Sequence, residues 1–270
     1  MSFPSFPSTP YPITSYPSSP LWQLSPVSSN SSLGWAPSCT SSSCLPTASW
    51  STGAVNSTIT YMFWAWGYTV NGTVEGNMKI QAIRDGQEEV LNPSGDNLFT
   101  YPGLPGDLWT QHNLTFKVLE ASPGSRLTIN KAHINGSSFS DAVNPYTIWT
   151  LPSNDGAFHY SGFVQQPAAS ELPSPTTYVS STAGDQASMQ FNGSAFTIYG
   201  PCGPSSGLMR VKIDGKEETI NTTKPFQSDD CLLYQSYSFQ ATFLHTLDIQ
   251  NVDGRTLGLN RVEFFRFFGW

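Results

Sequence analysis

Charge is scarce in this chain. Only 11% of its 270 residues are Asp, Glu, Lys or Arg, against roughly a quarter in ordinary globular domains. Basic residues are the scarcer kind, 12 against 19 acidic, for a net charge of −7. No basic footprint exists, which argues against a nucleic-acid partner. Runs of eighteen apolar residues are missing, so no membrane-spanning helix is expected. No segment keeps helical periodicity over ten residues, so helical bundles are excluded. GxSxG, HExxH and P-loop patterns are absent. The four cysteines lack zinc-finger spacing, and neither a metal nor a cofactor is expected. The N-terminus shows no basic segment leading into an apolar one, so no signal peptide is read there.

What is abundant is turn-forming and aromatic. There are 21 prolines and 22 glycines, and 13% of residues are Phe, Trp or Tyr, a mix that suits many short strands. The chain also repeats itself. Gly34-Trp35 matches Gly162-Phe163, Phe63 matches Phe191, and Tyr68-Thr69-Val70 matches Phe196-Thr197-Ile198, each at an offset of 128. Asp85-Gly86 matches Asp214-Gly215, His112 matches His245, and Leu127–Asn130 matches Leu257–Asn260 in the same order. Trp22-Gln23-Leu24 is read as the counterpart of Trp149-Thr150-Leu151. The expected organisation is therefore a Pro- and aromatic-rich extended arm over 1–20 and two repeats over 21–147 and 148–270.

Within each repeat apolar residues alternate with polar ones. Examples are Ala187, Met189 and Phe191, then Met209, Val211 and Ile213 before the Asp214-Gly215 turn. Period two with Asp-Gly turns predicts half-buried strands and hairpins. The fold class is all-β, two tandem jelly-roll β-sandwiches related by duplication.

The pattern F-x-G-x-A-F-x-I-Y-G, then I-D-G, C-L-L-Y, H-T-L-D-I and L-x-L-N-x-V-E-F, resembles secreted and cell-surface proteins of basidiomycete fungi. Their ectodomains carry one or two galactose-binding-like, carbohydrate-binding-module-like jelly rolls. The resemblance covers about 21–270 and is closer in the second repeat. It implies the sandwich fold and an extracellular address, and no reaction.

Seven N-x-S/T sequons, at Asn30, Asn56, Asn71, Asn113, Asn135, Asn192 and Asn221, fit secretion. Local pairing of Cys39 with Cys44 and Cys202 with Cys231 is expected, since the repeat separates the pairs. His112 and His245 open equivalent strands and read as structural, since no matching carboxylate is close in sequence. A non-catalytic protein is expected, with glycan as the favoured partner.

Most aromatics recur in both repeats and read as core. Trp64, Trp66 and Trp109 do not, and are the candidate ligand platform. Trp64 and Trp66 align with Asn192 and Ser194 of a sequon, which predicts a surface kink. A rival reading is a head-to-tail homo-oligomer or filament. Its contacts would come from arm residues Phe3, Phe6, Tyr11 and Tyr16 and terminal residues Phe267, Phe268 and Trp270.

Overall fold

The computed structural model describes residues 13–91, 93–103, 110–135, 146–166, 176–237, 239–240 and 242–267. The first unit contains β1 (Ile13–Ser15), β2 (Trp22–Ser25), β3 (Ala36–Pro37), β4 (Trp50–Thr52), β5 (Thr58–Ala65) and β6 (Gly67–Glu75). It continues with β7 (Met78–Arg84), β8 (Gln87–Glu89), β9 (Asn97–Tyr101), β10 (Thr110–Ala121) and β11 (Arg126–Asn135). The second unit contains β12 (Tyr146–Pro152), β13 (His159–Ser161), β14 (Val164–Gln166), β15 (Thr177–Ser180), β16 (Gln186–Phe191) and β17 (Ala195–Cys202). It ends with β18 (Leu208–Ile213), β19 (Lys216–Asn221), β20 (Ser228–Tyr237), β21 (His245–Asn251), β22 (Leu257–Leu259) and β23 (Arg261–Phe267). One 3₁₀ turn, Leu45–Thr47, is the sole helical element among the described residues.

Each unit is an antiparallel sandwich. In the first, the order β3-β4-β11-β6-β9, with β1 also on β11, faces β2-β5-β10-β7-β8. In the second, β12-β23-β17-β20 and β14-β15-β22 lie opposite β13-β16-β21-β18-β19. The long β11 of the first unit is divided in the second into β22 and β23 at Asn260. The same place in β11 carries a register shift between Ile129 and Lys131. Alternation places Ile59, Tyr61, Phe63 and Ala65 of β5 inside and leaves Thr60, Met62 and Trp64 on the outer face.

Both Asp-Gly turns form as expected. Asp85 and Gly86 have φ of 52° and 82°, and Asp214 and Gly215 have 49° and 88°. Two successive positive φ values match the right-handed twist of the hairpins β7–β8 and β18–β19. Both disulfides are as expected, Cys39–Cys44 and Cys202–Cys231.

Two expectations need correcting. Residues 13–20 are not arm: β1 pairs with β11, and Ile13 and Ser15 are buried. β1 takes on β11 the place that β12 takes on β23. The duplication therefore begins earlier than residue 21. Nor is Trp149 the counterpart of Trp22. Gln23 pairs with Thr60 and His159 pairs with the equivalent Ser188, so Phe158 holds the place of Trp22. The short W-x-L match misled because the offset changes along the chain, from 136 between Trp22 and Phe158 to 128 between Phe63 and Phe191.

The first core is built on aromatics. Trp22 stacks on Tyr61 at 4.0 Å, and Tyr61 on Phe63 at 4.2 Å. Each buried indole N–H finds an acceptor: Trp22 on Ser15 Oγ at 2.9 Å, Trp35 on Thr58 O at 2.8 Å and Trp50 on Ser18 Oγ at 3.3 Å. This explains why β1 and its loop stay docked.

Candidate functional site between the two units

The units meet along β20 and the segment between β1 and β2. Ser19 Oγ donates to Leu232 O, and Ser42 Oγ donates to Asp229 Oδ2 at 2.8 Å. Lys224 Nζ donates to Trp22 O at 2.7 Å, and Gln235 Nε2 to Trp64 O at 2.7 Å. Phe226 packs on Trp50 at 5.5 Å. Ala195 and Phe265 of the second unit join the core cluster of the first. Burial pushes the Lys224 ammonium down to about 7.

A groove of about 150 Å³ runs beside this contact. Its first wall is the outer face of β5, with Trp64 and, directly opposite it on β10, Gln111. Gln23 stands nearby on β2. The second wall carries Glu218, Tyr234 and Gln235. The Tyr234 hydroxyl donates to Glu218 Oε2 at 3.2 Å, and burial raises its pKa above the ordinary phenol value. Gln235 is 2% exposed, and its Oε1 has no hydrogen-bond partner among the described residues. A half-buried indole beside planar amides and a carboxylate offers an apolar plate with donors and acceptors around it.

A second cavity, about 260 Å³, is lined by β1 with its following loop, by the start of β20 and by β23. Arg261 dominates it. Its Nη1 donates to both oxygens of Asp230 at 2.7 Å, and its Nε to Glu263 Oε1 at 2.9 Å. The guanidinium lies 3.8 Å above the Tyr199 ring. Burial lowers the Arg261 pKa, but Asp230 and Glu263 outweigh it and hold the value above the ordinary one.

The structure scatters the expected platform. Trp64 lines the groove. Trp66 is half-buried and packs against Gly103, where a Cβ would fall 2.7 Å from the ring; it does not line the groove. Ser194, read as part of a surface kink, is 2% exposed, and its N–H donates to Phe265 O at 2.7 Å. Trp109, Phe3, Phe6, Tyr11, Phe268 and Trp270 lie outside the described residues. Phe267 ends β23, paired with Tyr146. Tyr16 lines the second cavity of its own chain.

Among the sequons, Asn30, Asn56, Asn113 and Asn221 are exposed and Asn192 is half-buried. Asn135 ends β11. Asn71 differs from these. It is 8% exposed, and its Nδ2 is engaged by Asn97 Oδ1 at 2.9 Å and Asp96 O at 3.4 Å. Its amide is committed to the fold.

The histidines also gain partners that sequence distance concealed. His112 Nδ1 lies 2.7 Å from Asp85 Oδ2, and His245 Nδ1 lies 2.7 Å from Asp214 Oδ2. The carboxylates come from the Asp-Gly turns. The other ring nitrogens are engaged as well, by Thr110 Oγ1 at 3.3 Å and Gln240 O at 3.1 Å. Both rings are buried and fully partnered, which suits holding turns to strands.

Among the described residues, no helix is long and apolar enough to cross a membrane. Fold and site together define an all-β protein of two docked sandwiches with clefts at their junction. No family model matches the chain, and no curated protein matches it. Among solved structures it is similar to a family two carbohydrate esterase from Cellvibrio japonicus, at 12% identity and TM-score 0.31, over 45% of this chain and 34% of that one. It is similar to a Paenibacillus xanthan lyase at 12% identity and TM-score 0.35, over 98% of this chain and 27% of that one. A truncated AlyQ with CBM32 and alginate lyase domains follows at 7% identity and TM-score 0.21, over 87% and 96%. The chain thus spans 34% and 27% of the length of the first two. TM-scores this low carry no argument about chemistry.

Proposed function

We propose that the chain is a secreted or surface-displayed, non-catalytic glycoprotein that binds glycan in the groove around Trp64. The observation that carries this reading is the half-buried Trp64 indole on the groove wall, with Gln23, Gln111 and Glu218 around it. An indole face stacks on the apolar face of a sugar ring, and amides and a carboxylate bond its hydroxyls. Two disulfides favour an oxidising, extracellular setting, as does the resemblance to basidiomycete surface proteins.

Hydrolysis is the weaker reading. Asp230 and Glu263 line a cavity together, but Arg261 is bonded to both and ties them into one salt-bridge network.

Glycan-array screening of the wild type against Trp64→Ala and Gln111→Ala tests the proposal. Binding to at least one glycan, lost in Trp64→Ala and weakened in Gln111→Ala, is expected. Wild-type protein that binds no glycan counts against it.

A further inference from the structure

The second cavity has a chemistry of its own, which the groove does not share. We propose that it binds a single amino-sugar unit, with the ammonium group held by Glu263 and Asp230 and the ring hydroxyls by Arg261 and the threonines at the rim.

Charge selects the sign of the ligand. The lining residues carry two carboxylates against one guanidinium, and the chain as a whole carries −7. An anionic sugar meets a net negative site on a negative protein, whereas an ammonium is attracted to both. Arg261 does not exhaust its partners. It occupies Glu263 Oε1, and Glu263 Oε2 accepts no hydrogen bond among the described residues. Arg261 in turn uses Nε and Nη1 on the carboxylates, which among the described residues leaves Nη2 to donate to a ring or hydroxyl oxygen. These groups are already in place. The stacking of Arg261 on Tyr199 at 3.8 Å and the bidentate Asp230 contact fix the plate before a ligand arrives.

Size selects one ring. The cavity holds about 260 Å³, just under the roughly 300 Å³ at which drug-sized pockets begin. Thr14, Tyr16 and Thr47 come from the first unit, and Tyr199, Arg261 and Glu263 from the second. The site therefore exists only while the units are docked. Hydroxyls on the first wall and charges on the second suit a ligand that is a polyol on one side and a cation on the other.

Titration calorimetry on the full chain with glucosamine, glucose and glucuronate tests this. Glucosamine is expected to bind roughly tenfold tighter than glucose, the ratio that one charge-assisted hydrogen bond supplies, and glucuronate to give no saturable heat. Glu263→Gln is expected to bring glucosamine to the affinity of glucose. Should that variant fail to fold, Thr47→Trp fills the cavity from an exposed rim position and is expected to abolish binding of both sugars. Trp64→Ala is expected to leave glucosamine binding unchanged, which separates this site from the groove. A glucosamine tetramer binding more tightly than the monomer assigns the ligand to a chain end, and equal affinity assigns it to the free sugar. Equal wild-type affinity for glucosamine and glucose, tighter binding of glucuronate, or no binding of glucosamine overturns the proposal.

Discussion

His245 Nδ1 lies 2.7 Å from Asp214 Oδ2, so the turn of the β18–β19 hairpin is tied to the first residue of β21. The second carboxylate oxygen accepts the Thr246 N–H at 2.9 Å. His112 and Asp85 repeat the arrangement in the first unit, where Asp85 Oδ1 accepts the Asn113 N–H at 2.8 Å. One aspartate therefore serves three purposes: it adopts the turn conformation, holds the ring and satisfies a strand N–H.

Asp214→Ala leaves the buried His245 ring and the Thr246 N–H without their acceptor. The expected loss of stability is about 1–3 kcal/mol at neutral pH, read from urea unfolding. Burial raises the Asp214 pKa, but Thr246 and His245 outweigh it, so the folded value lies below the ordinary one. A depressed folded pKa means the contribution is complete above the unfolded value, about 4, and fades as pH falls through the folded one. The gap between wild type and variant is expected to narrow below about pH 4. A constant gap down to pH 2 contradicts the assignment.

Lys224 gives the opposite slope. Its ammonium is buried at the junction of the units and is pushed down to about 7. Between about pH 7 and the ordinary lysine value near 10.4 the unfolded chain binds the proton and the folded chain does not. Stability therefore rises with pH across that window. Thermal unfolding of Lys224→Met is expected to lack this rise, and to exceed the wild type most clearly below pH 7, where the wild type carries a buried charge. An identical pH profile for both proteins would refute this.

The two disulfides differ in reach. Cys202–Cys231 spans 29 residues and Cys39–Cys44 spans 5. Chain-entropy arguments assign about 3–4 kcal/mol to the longer loop and about 2 kcal/mol to the shorter. The double substitution Cys202→Ala/Cys231→Ala is expected to lower the unfolding midpoint more than Cys39→Ala/Cys44→Ala. Its sulfurs also lie 3.5 and 3.7 Å from Ser18 O, so limited proteolysis is expected to cut between the units sooner in that variant.

Glycopeptide mass spectrometry of folded protein secreted from a eukaryotic host checks the sequons. Asn71 is expected to be unoccupied, because its amide bonds Asn97 and Asp96 inside the sheet. Glycan is expected among Asn30, Asn56, Asn113 and Asn221, whose side chains are exposed. A glycan on Asn71 in folded material contradicts the burial found here.

Trp64 shows how far a pattern in the sequence reaches. Alternation already puts Phe63 inside β5 and Trp64 outside it, since neighbouring side chains point to opposite faces. That β20 of the other unit approaches this outer face, and that Gln235 bonds the Trp64 carbonyl, leaves no trace in local pattern. The carboxylate partners of His112 and His245 were hidden in the same way. They stand 27 and 31 residues away, and only the pairing of β7 with β10 and of β18 with β21 brings them together.

By itself the sequence determined the all-β class, the duplication, both Asp-Gly hairpins and both disulfides. These depend on side-chain alternation, on turn residues that tolerate positive φ, and on short separations along the chain. Only the tertiary structure decided that the first unit begins at β1, that Asn71 is committed to the sheet, and that Trp64 and Arg261 each line a cleft at the junction. Those outcomes depend on which surface of one unit covers the other, and that contact is made by residues some two hundred positions apart, such as Lys224 and Trp22.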